Sequence, residues 1–192
     1  MLIPLALAGA AVLYEIMTTS KPDAPTLAQK VDFVSRLRDI ARRVESSGAI
    51  DTYTGRLVPP GIKADFGVAQ LAKESRYGTS DKALLANNLA GFTAEDGTYW
   101  ATKKFPRKLF PTKEEISGKL VDATRPFRAY ASWEESYVDW ARLLHTKYPL
   151  AFASSVSGDF VGFANGLKGY ATDSGYSEGL ISFHREVSSI VT

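Results

Sequence analysis

The chain contains no cysteine, which excludes disulfide staples, thiolate chemistry and cysteine-held zinc. The compartment stays open, because a chain of this size can bury a sizeable core without staples. Histidine is scarce too: His145 and His184 are the only two, both in segments of helical spacing, and nothing in the sequence resembles a metal cluster. An excess of one charge is also missing. With 23 basic and 21 acidic residues the net charge is +2, too balanced to argue for a nucleic-acid partner.

A full-length apolar span is lacking as well. Met1 to Tyr14 offers fourteen uncharged residues before Glu15, short of the roughly 20 a spanning helix needs. A secretory signal would carry positive charge ahead of that stretch, and here the first basic residue is Lys21; Ala6-x-Ala8 and Ala8-x-Ala10 come too early for a cleavage site. Residues 1–17 are therefore open to three readings: an atypical signal or anchor, a marginal membrane-inserting segment, or a helix buried against another protein. A membrane-associated N-terminus is the favoured one. Residues 18–26 have linker composition, and Pro22 and Pro25 forbid a continuous helix.

What is present is an ordinary one-domain globule of 192 residues, 45% hydrophobic and 23% charged, with no internal repeat. Apolar positions 27, 31, 34, 37, 41 and 44 predict an amphipathic helix ended by Ser46-Ser47-Gly48. A second helix follows Pro59-Pro60-Gly61, with Ile62, Phe66, Ala69 and Ala72 at helical spacing and Gly78 as its stop. Ser80 is placed to cap a short helix through Ala86. Asn87 to Tyr130 changes character, rich in Thr, aromatics, Pro and Lys, with hairpin turns expected at Asp96-Gly97 and Ser117-Gly118. Ser132-x-x-Glu135 is a capping-box pattern, after which Trp133, Tyr137, Trp140 and Leu144 form one stripe, read as core. Short helices over 150–156 and 159–167 precede a last one from Tyr176 to Ile190, with Asp173 as its candidate cap.

Chemistry centres on Glu74. A carboxylate in the last helical turn faces the negative end of the helix dipole, which disfavours ionisation. Leu71 and Tyr77 would raise its pKa further if they shield it from water. Such a carboxyl is suited to act as a general acid near neutral pH. On spacing alone, the favoured reading of Glu74 is a surface glutamate.

The surrounding text decides between them. Glu74-Ser75-x-Tyr77-Gly78-Thr79-Ser80 is followed by Asn87-Asn88-Leu89-Ala90-Gly91-Phe92, then Pro111-Thr112-Lys113-Glu114, Phe127-Arg128-x-Tyr130-x-Ser132, and Gly169-Tyr170-Ala171-Thr172-Asp173-x-x-Tyr176. In this order, over residues 28–190, they resemble the glucosaminidase family of peptidoglycan hydrolases, glycoside hydrolase family 73.

The resemblance implies a mainly helical (α+β), lysozyme-like domain over 27–192, with a small β-hairpin lobe at about 88–130 flanking a substrate cleft. It implies hydrolysis of the β-1,4 bond after N-acetylglucosamine in peptidoglycan glycan strands, without metal or cofactor. Glu74 matches the family's catalytic glutamate; Glu114, two residues after Thr112 and ahead of a hairpin turn, is the candidate for the second catalytic role. Glu95, Asp96 and Glu115 are other acids in the same lobe. Tyr170 is expected beside Glu74, orienting the acetamido sugar or the reacting centre. Tyr77, Asn88, Phe92, Trp100 and Tyr176 are expected to bind or shape the substrate site. Two departures, Ala90 where the family commonly has an aromatic and Tyr77 where it often has tryptophan, put substrate fit in question more than chemistry. The alternatives are a muramidase or lytic transglycosylase of the same fold class, and a wall-binding or virion structural protein without turnover. The expected setting is the bacterial envelope or a phage particle, with residues 1–17 meeting membrane or a neighbouring protein.

Overall fold

The computed structural model describes residues 23–116, 119–171 and 173–190, the side chains of 113–120 excepted. The apolar segment 1–17, most of the 18–26 linker, the Ser117-Gly118 turn and Thr172 lie outside the described residues.

Helix α1 (Leu27–Ser47) starts at a reciprocal cap: Gln29 N–H donates to the Thr26 hydroxyl at 3.3 Å, and Thr26 N–H donates to the Gln29 side chain at 2.8 Å. Val34, Leu37, Ala41 and Val44 face inward as the spacing predicts, but Leu27 and Val31 are exposed and Phe33 is buried instead. At roughly 100° per residue, positions 27 and 31 fall at the edge of the arc centred on 37 and 41, whereas Phe33 falls on its opposite margin. A two-residue ribbon follows, β1 (Ala49–Ile50) antiparallel to β2 (Leu57–Val58).

Helix α2 (Ala64–Ser75) is the centre of the body. Glu45 of α1 takes over its N-cap, accepting from Ala64 N–H at 2.9 Å and pairing with Lys63 at 3.0 Å. Phe66, Val68, Ala69, Leu71 and Ala72 are all buried, and a helix apolar on every side is a core helix. It packs on α1 and on the last helix, α8 (Tyr176–Ser189). Its stop differs from the expected one: α2 ends at Ser75, and Arg76 and Tyr77 both adopt left-handed backbone (φ 53° and 54°) before Gly78 (φ 74°). Local bonds hold this turn, with Tyr77 N–H donating to Ala72 O at 2.8 Å and Gly78 N–H to the Ser75 hydroxyl at 2.9 Å. Gly78 is needed here twice over, for its φ and because a Cβ would stand 2.7 Å from the Phe33 ring.

Helix α3 (Asp81–Ala86), capped by Ser80 as expected, leads into the lobe. Asp96-Gly97 does not turn a hairpin. Thr98 instead caps a single helical turn, α4 (Tyr99–Thr102), its hydroxyl accepting from Ala101 N–H and donating to Glu95 O at 2.6 Å. The hairpin proper is β3 (Arg107–Ile116) against β4 (Lys119–Arg128), in register from Arg107↔Arg128 to Ile116↔Lys119. It carries its own apolar clusters, Phe110 with Phe127, and Trp100 with Ala94 and Tyr130.

Helix α5 (Trp133–Lys147) buries Tyr137, Trp140 and Leu144, with Trp133 half-buried under the Arg36 guanidinium. Only half of its expected capping box forms: Glu135 N–H donates to Ser132, while the Glu135 carboxylate binds Ala131 N–H and the Tyr53 hydroxyl. Helices α6 (Pro149–Ser157) and α7 (Phe160–Gly166) precede α8. Gly175, not Asp173, occupies the α8 cap position; Asp173 accepts from Gly175 N–H at 2.9 Å in the preceding turn. No helix among the described residues is long and apolar enough to cross a membrane.

Candidate active site

Glu74 is the penultimate residue of α2, and the left-handed turn behind it aims the chain away immediately after the carboxyl. Two non-glycine residues in that conformation are strained, typically by about 1–2 kcal/mol each. Tyr176, first residue of α8, donates its hydroxyl to Glu74 Oε1 at 2.6 Å. Gln70, one turn before Glu74 on the same face of α2, donates from Nε2 to that hydroxyl at 3.1 Å. Trp140 of α5 donates its indole N–H to Gln70 Oε1 at 3.2 Å. Gln70 and Trp140 are fully buried.

Burial raises the Glu74 pKa above the usual carboxylate value; the Tyr176 bond, then Lys73 and Lys82, pull the other way without reversing it. Tyr170 stands beside this group, its ring stacked on Tyr176 with centroids 5.7 Å apart and its pKa raised by burial and by the Glu74 charge. Its hydroxyl is buried and has no hydrogen-bond partner among the described residues. A phenol left without a partner next to a half-buried carboxyl is an unsatisfied polar group of the kind found at functional sites. Tyr176 also lines a cavity of ≈ 420 Å³, together with Leu167, Lys168, Gly169, Asp173 and Glu178.

The other expected residues are spread more widely. Asn88 is buried and structural: its amide donates to the carbonyls of Phe92 and Arg128, each at 2.9 Å, and accepts from Phe92 N–H at 3.0 Å, pinning the lobe's first loop to its last strand. Phe92 is half-buried beneath the Arg128 guanidinium, 5.0 Å away. Trp100 lies in the lobe's interior, its indole N–H bound to Pro106 O at 2.8 Å and its ring covered by Tyr53 and Tyr130. Tyr77 is buried away from Glu74, between Phe33 and Phe183, with its hydroxyl donating to Glu186 at 2.9 Å. Glu186 lies ten residues beyond Tyr176 on α8, about 15 Å along the axis. The structure thus joins Glu74, Tyr170 and Tyr176, and holds Asn88, Phe92 and Trp100 in the lobe's frame. Glu114 lies on β3 opposite Val121, its side chain outside those described.

Sequence reasoning missed Gln70 and Trp140. One signal was available: Gln70 is the only polar residue within the apolar run Phe66–Ala72, and a buried amide must find partners. It also missed the tie between lobe and body. Asp139 of α5 pairs with Arg128 of β4 and with Arg142 at 2.6 Å, and accepts from the Tyr130 hydroxyl at 2.7 Å; Arg142 also meets Asp51 at 2.8 Å.

A helical body, a hairpin lobe and a half-buried carboxyl with a raised pKa at a helix end are the parts of a lysozyme-like glycoside hydrolase. The chain belongs to the glucosaminidase family, described as mannosyl-glycoprotein endo-beta-N-acetylglucosaminidase, whose profile matches residues 59–189. Among solved structures it is similar to the C-terminally truncated glycoside hydrolase domain of Salmonella typhimurium FlgJ, with 25% identity, TM-score 0.60, and 83% of this chain and 98% of that one covered. It also shares the fold of the catalytic domain of the Listeria monocytogenes autolysin Auto (20% identity, TM-score 0.64, 87% and 89% covered). A mutant peptidoglycan hydrolase from Sphingomonas sp. A1 is a third (24%, 0.63, 84% and 97%). Comparison with curated proteins finds no match.

Proposed function

We propose that this protein hydrolyses the β-1,4 bond after N-acetylglucosamine in peptidoglycan, with Glu74 protonating the leaving oxygen. The observation that carries the reading is the half-buried Glu74 carboxyl held by Tyr176 beside the Tyr170 hydroxyl, which has no partner among the described residues. Tyr170 supplies a hydrogen bond to the acetamido sugar or to the reacting centre. The second role falls to Glu114 as the base that activates water, or to the sugar's own acetamido group, an exception the carboxylate-pair scheme allows. Family membership and the likeness to peptidoglycan hydrolases support the substrate. Reducing-end analysis of digested cell wall tests it: new N-acetylglucosamine reducing ends are expected. Muramic acid ends would make the protein a muramidase, and anhydro ends a lytic transglycosylase.

Residues 1–17 we read as the tether that holds this domain at an envelope membrane or against a neighbouring protein of a phage particle; the uncharged, largely apolar run 1–14 supports this. Deleting residues 1–20 should leave a soluble, active domain. Flotation of the full chain with liposomes, lost on deletion, identifies membrane as the partner; no flotation of the full chain removes that reading.

A further inference from the structure

Four side chains from three helices form one hydrogen-bonded line, Trp140 to Gln70 to Tyr176 to Glu74. Its direction is set at the far end. An indole N–H can only donate, so the Gln70 atom that meets Trp140 must be the amide oxygen. That leaves the Gln70 NH₂, which also only donates, facing the Tyr176 oxygen. The Tyr176 hydroxyl has one proton, and of its two partners among the described residues Gln70 only donates, so the proton points at Glu74 Oε1. Turning the amide over would set two donors face to face at Trp140, both buried away from water. Trp140 reaches Gln70 only because α2 carries glycine one turn earlier: a Cβ on Gly67 would lie 3.0 Å from the Trp140 ring and 2.5 Å from the Tyr137 hydroxyl.

We propose that Gln70 and Trp140 are positioning residues that fix the Tyr176–Glu74 bond in one sense, keeping Oε1 an acceptor so that the acid proton is held on Oε2 and leaves from there. With the opposite sense, protonated Glu74 would donate to Tyr176, and the proton meant for the glycosidic oxygen would be spent inside the protein. The fixed sense denies it that alternative partner. This inference rests on Glu74 being the general acid. Among the described residues, the charged and titratable groups acting on Glu74 are Lys73 beside it on α2, Lys82 on α3, Tyr170 ahead of α8 and Tyr176 on α8.

The test is the titration of the Glu74 carboxyl, followed by carbon-13 NMR, beside the pH profile of kcat/KM on cell wall. Trp140→Phe keeps an aromatic ring and removes the donor, freeing the Gln70 amide to turn; Gln70→Met removes the amide and serves if the first variant does not fold. Either change weakens the bond donated to ionised Glu74, so its pKa and the basic limb of the profile should move up, by about one unit at most, with KM unchanged. Tyr176→Phe should move both as far, and Trp140→Phe added to Tyr176→Phe should move them no further. An unmoved titration in Trp140→Phe and Gln70→Met, or shifts that add in the double variant, overturns the proposal. A merely structural role would lower the melting temperature and leave the titration in place. The NMR reading is independent of turnover, so an active Glu74→Gln variant would remove the acid assignment and still leave the direction of the line measurable.

Discussion

Tyr176 and Glu74, 102 positions apart in the chain, meet through a 2.6 Å hydrogen bond that ties the start of the last helix to the end of the central one. The contact makes one unit of what would otherwise be two helix termini. It also explains why a carboxyl with a raised pKa can be tolerated there, since the phenol supports the ionised form whenever the proton has gone.

Replacing Glu74 by Gln should remove cell-wall hydrolysis while the fold persists. The amide keeps the size of the carboxyl and still accepts from Tyr176, but it has no proton to transfer. Loss of a positioned proton donor typically costs 10²–10⁴-fold, roughly 3–5 kcal/mol of transition-state stabilisation. Zymography with purified wall reads this directly. Retention of more than about a tenth of the activity would dismiss Glu74 as the acid.

The same variant should reveal a pH dependence of stability. Burial raises the folded-state pKa of Glu74 above its unfolded value, so the folded protein holds a proton that the unfolded chain has released. That contribution is fully present below the ordinary glutamate range and is lost as pH rises through the raised value. Glu74→Gln cannot ionise and escapes the loss. Calorimetric melting should therefore show the variant gaining on the parent as pH rises above the ordinary glutamate range. A difference that stays flat across that range would contradict the raised pKa.

The helical frame was legible in the sequence because its signals are local. The apolar spacing of Val34, Leu37, Ala41 and Val44, the Ser80 cap and the Tyr137-Trp140-Leu144 stripe each act within a few turns. The family motifs also carried the lobe. What local reading could not reach was the partner of each polar group. Gln70 finds Trp140 seventy residues on and Tyr176 farther still. The end of α2 was misplaced because glycine is the usual left-handed residue, yet Arg76 and Tyr77 take that conformation first, held by Ala72 and Ser75. Tyr77 and Trp100 looked like cleft walls because an aromatic in a motif suggests a sugar. Their polar atoms are instead committed to Glu186 and Pro106 inside the fold.

Asp139 should be the residue whose loss most weakens the junction of lobe and body. It is buried, and it answers Arg128, Arg142 and the Tyr130 hydroxyl at once. Asp139→Asn preserves shape and deletes the charge, taking the carboxylate from the largely buried Arg128 guanidinium and leaving Arg142 paired with Asp51. Breaking a buried pair from one side costs about 3–5 kcal/mol. Urea unfolding should show that loss; a change below about 1 kcal/mol, the range of surface pairs, would mean water replaces the lost charge.

Gly67 and Gly179 should respond to alanine in opposite directions. Both are helical, and helix propensity alone favours alanine by about 1 kcal/mol. At Gly67 the added methyl meets Tyr137 and Trp140 within 3.0 Å in a filled core, an overpacking that typically costs about 1–3 kcal/mol. At Gly179 the nearest atom is the Lys73 ammonium at 3.6 Å, an ordinary contact. Thermal melts should place Gly67→Ala below the parent and Gly179→Ala above it. The reverse order would show that α2 and α5 have room to part.

Glu114 poses the sharpest choice, because two mechanisms assign it different weights. It stands on β3 opposite Val121, and Glu115 stands opposite Leu120. Neighbouring positions on a strand address opposite faces, so only one of the pair can serve the cleft. If Glu114 activates water, Glu114→Gln should cost nearly as much rate as Glu74→Gln, about 10²-fold or more, with substrate binding close to normal. If the acetamido group of the substrate attacks instead, the loss should be modest, since the glutamate then only helps to orient the sugar. Glu115→Gln is the internal control and should stay near the parent in either case. Measuring kcat for both variants on the same wall preparation separates the mechanisms. A severe loss at Glu115 with a mild one at Glu114 would place the catalytic face of the hairpin one residue away from the register assigned to it.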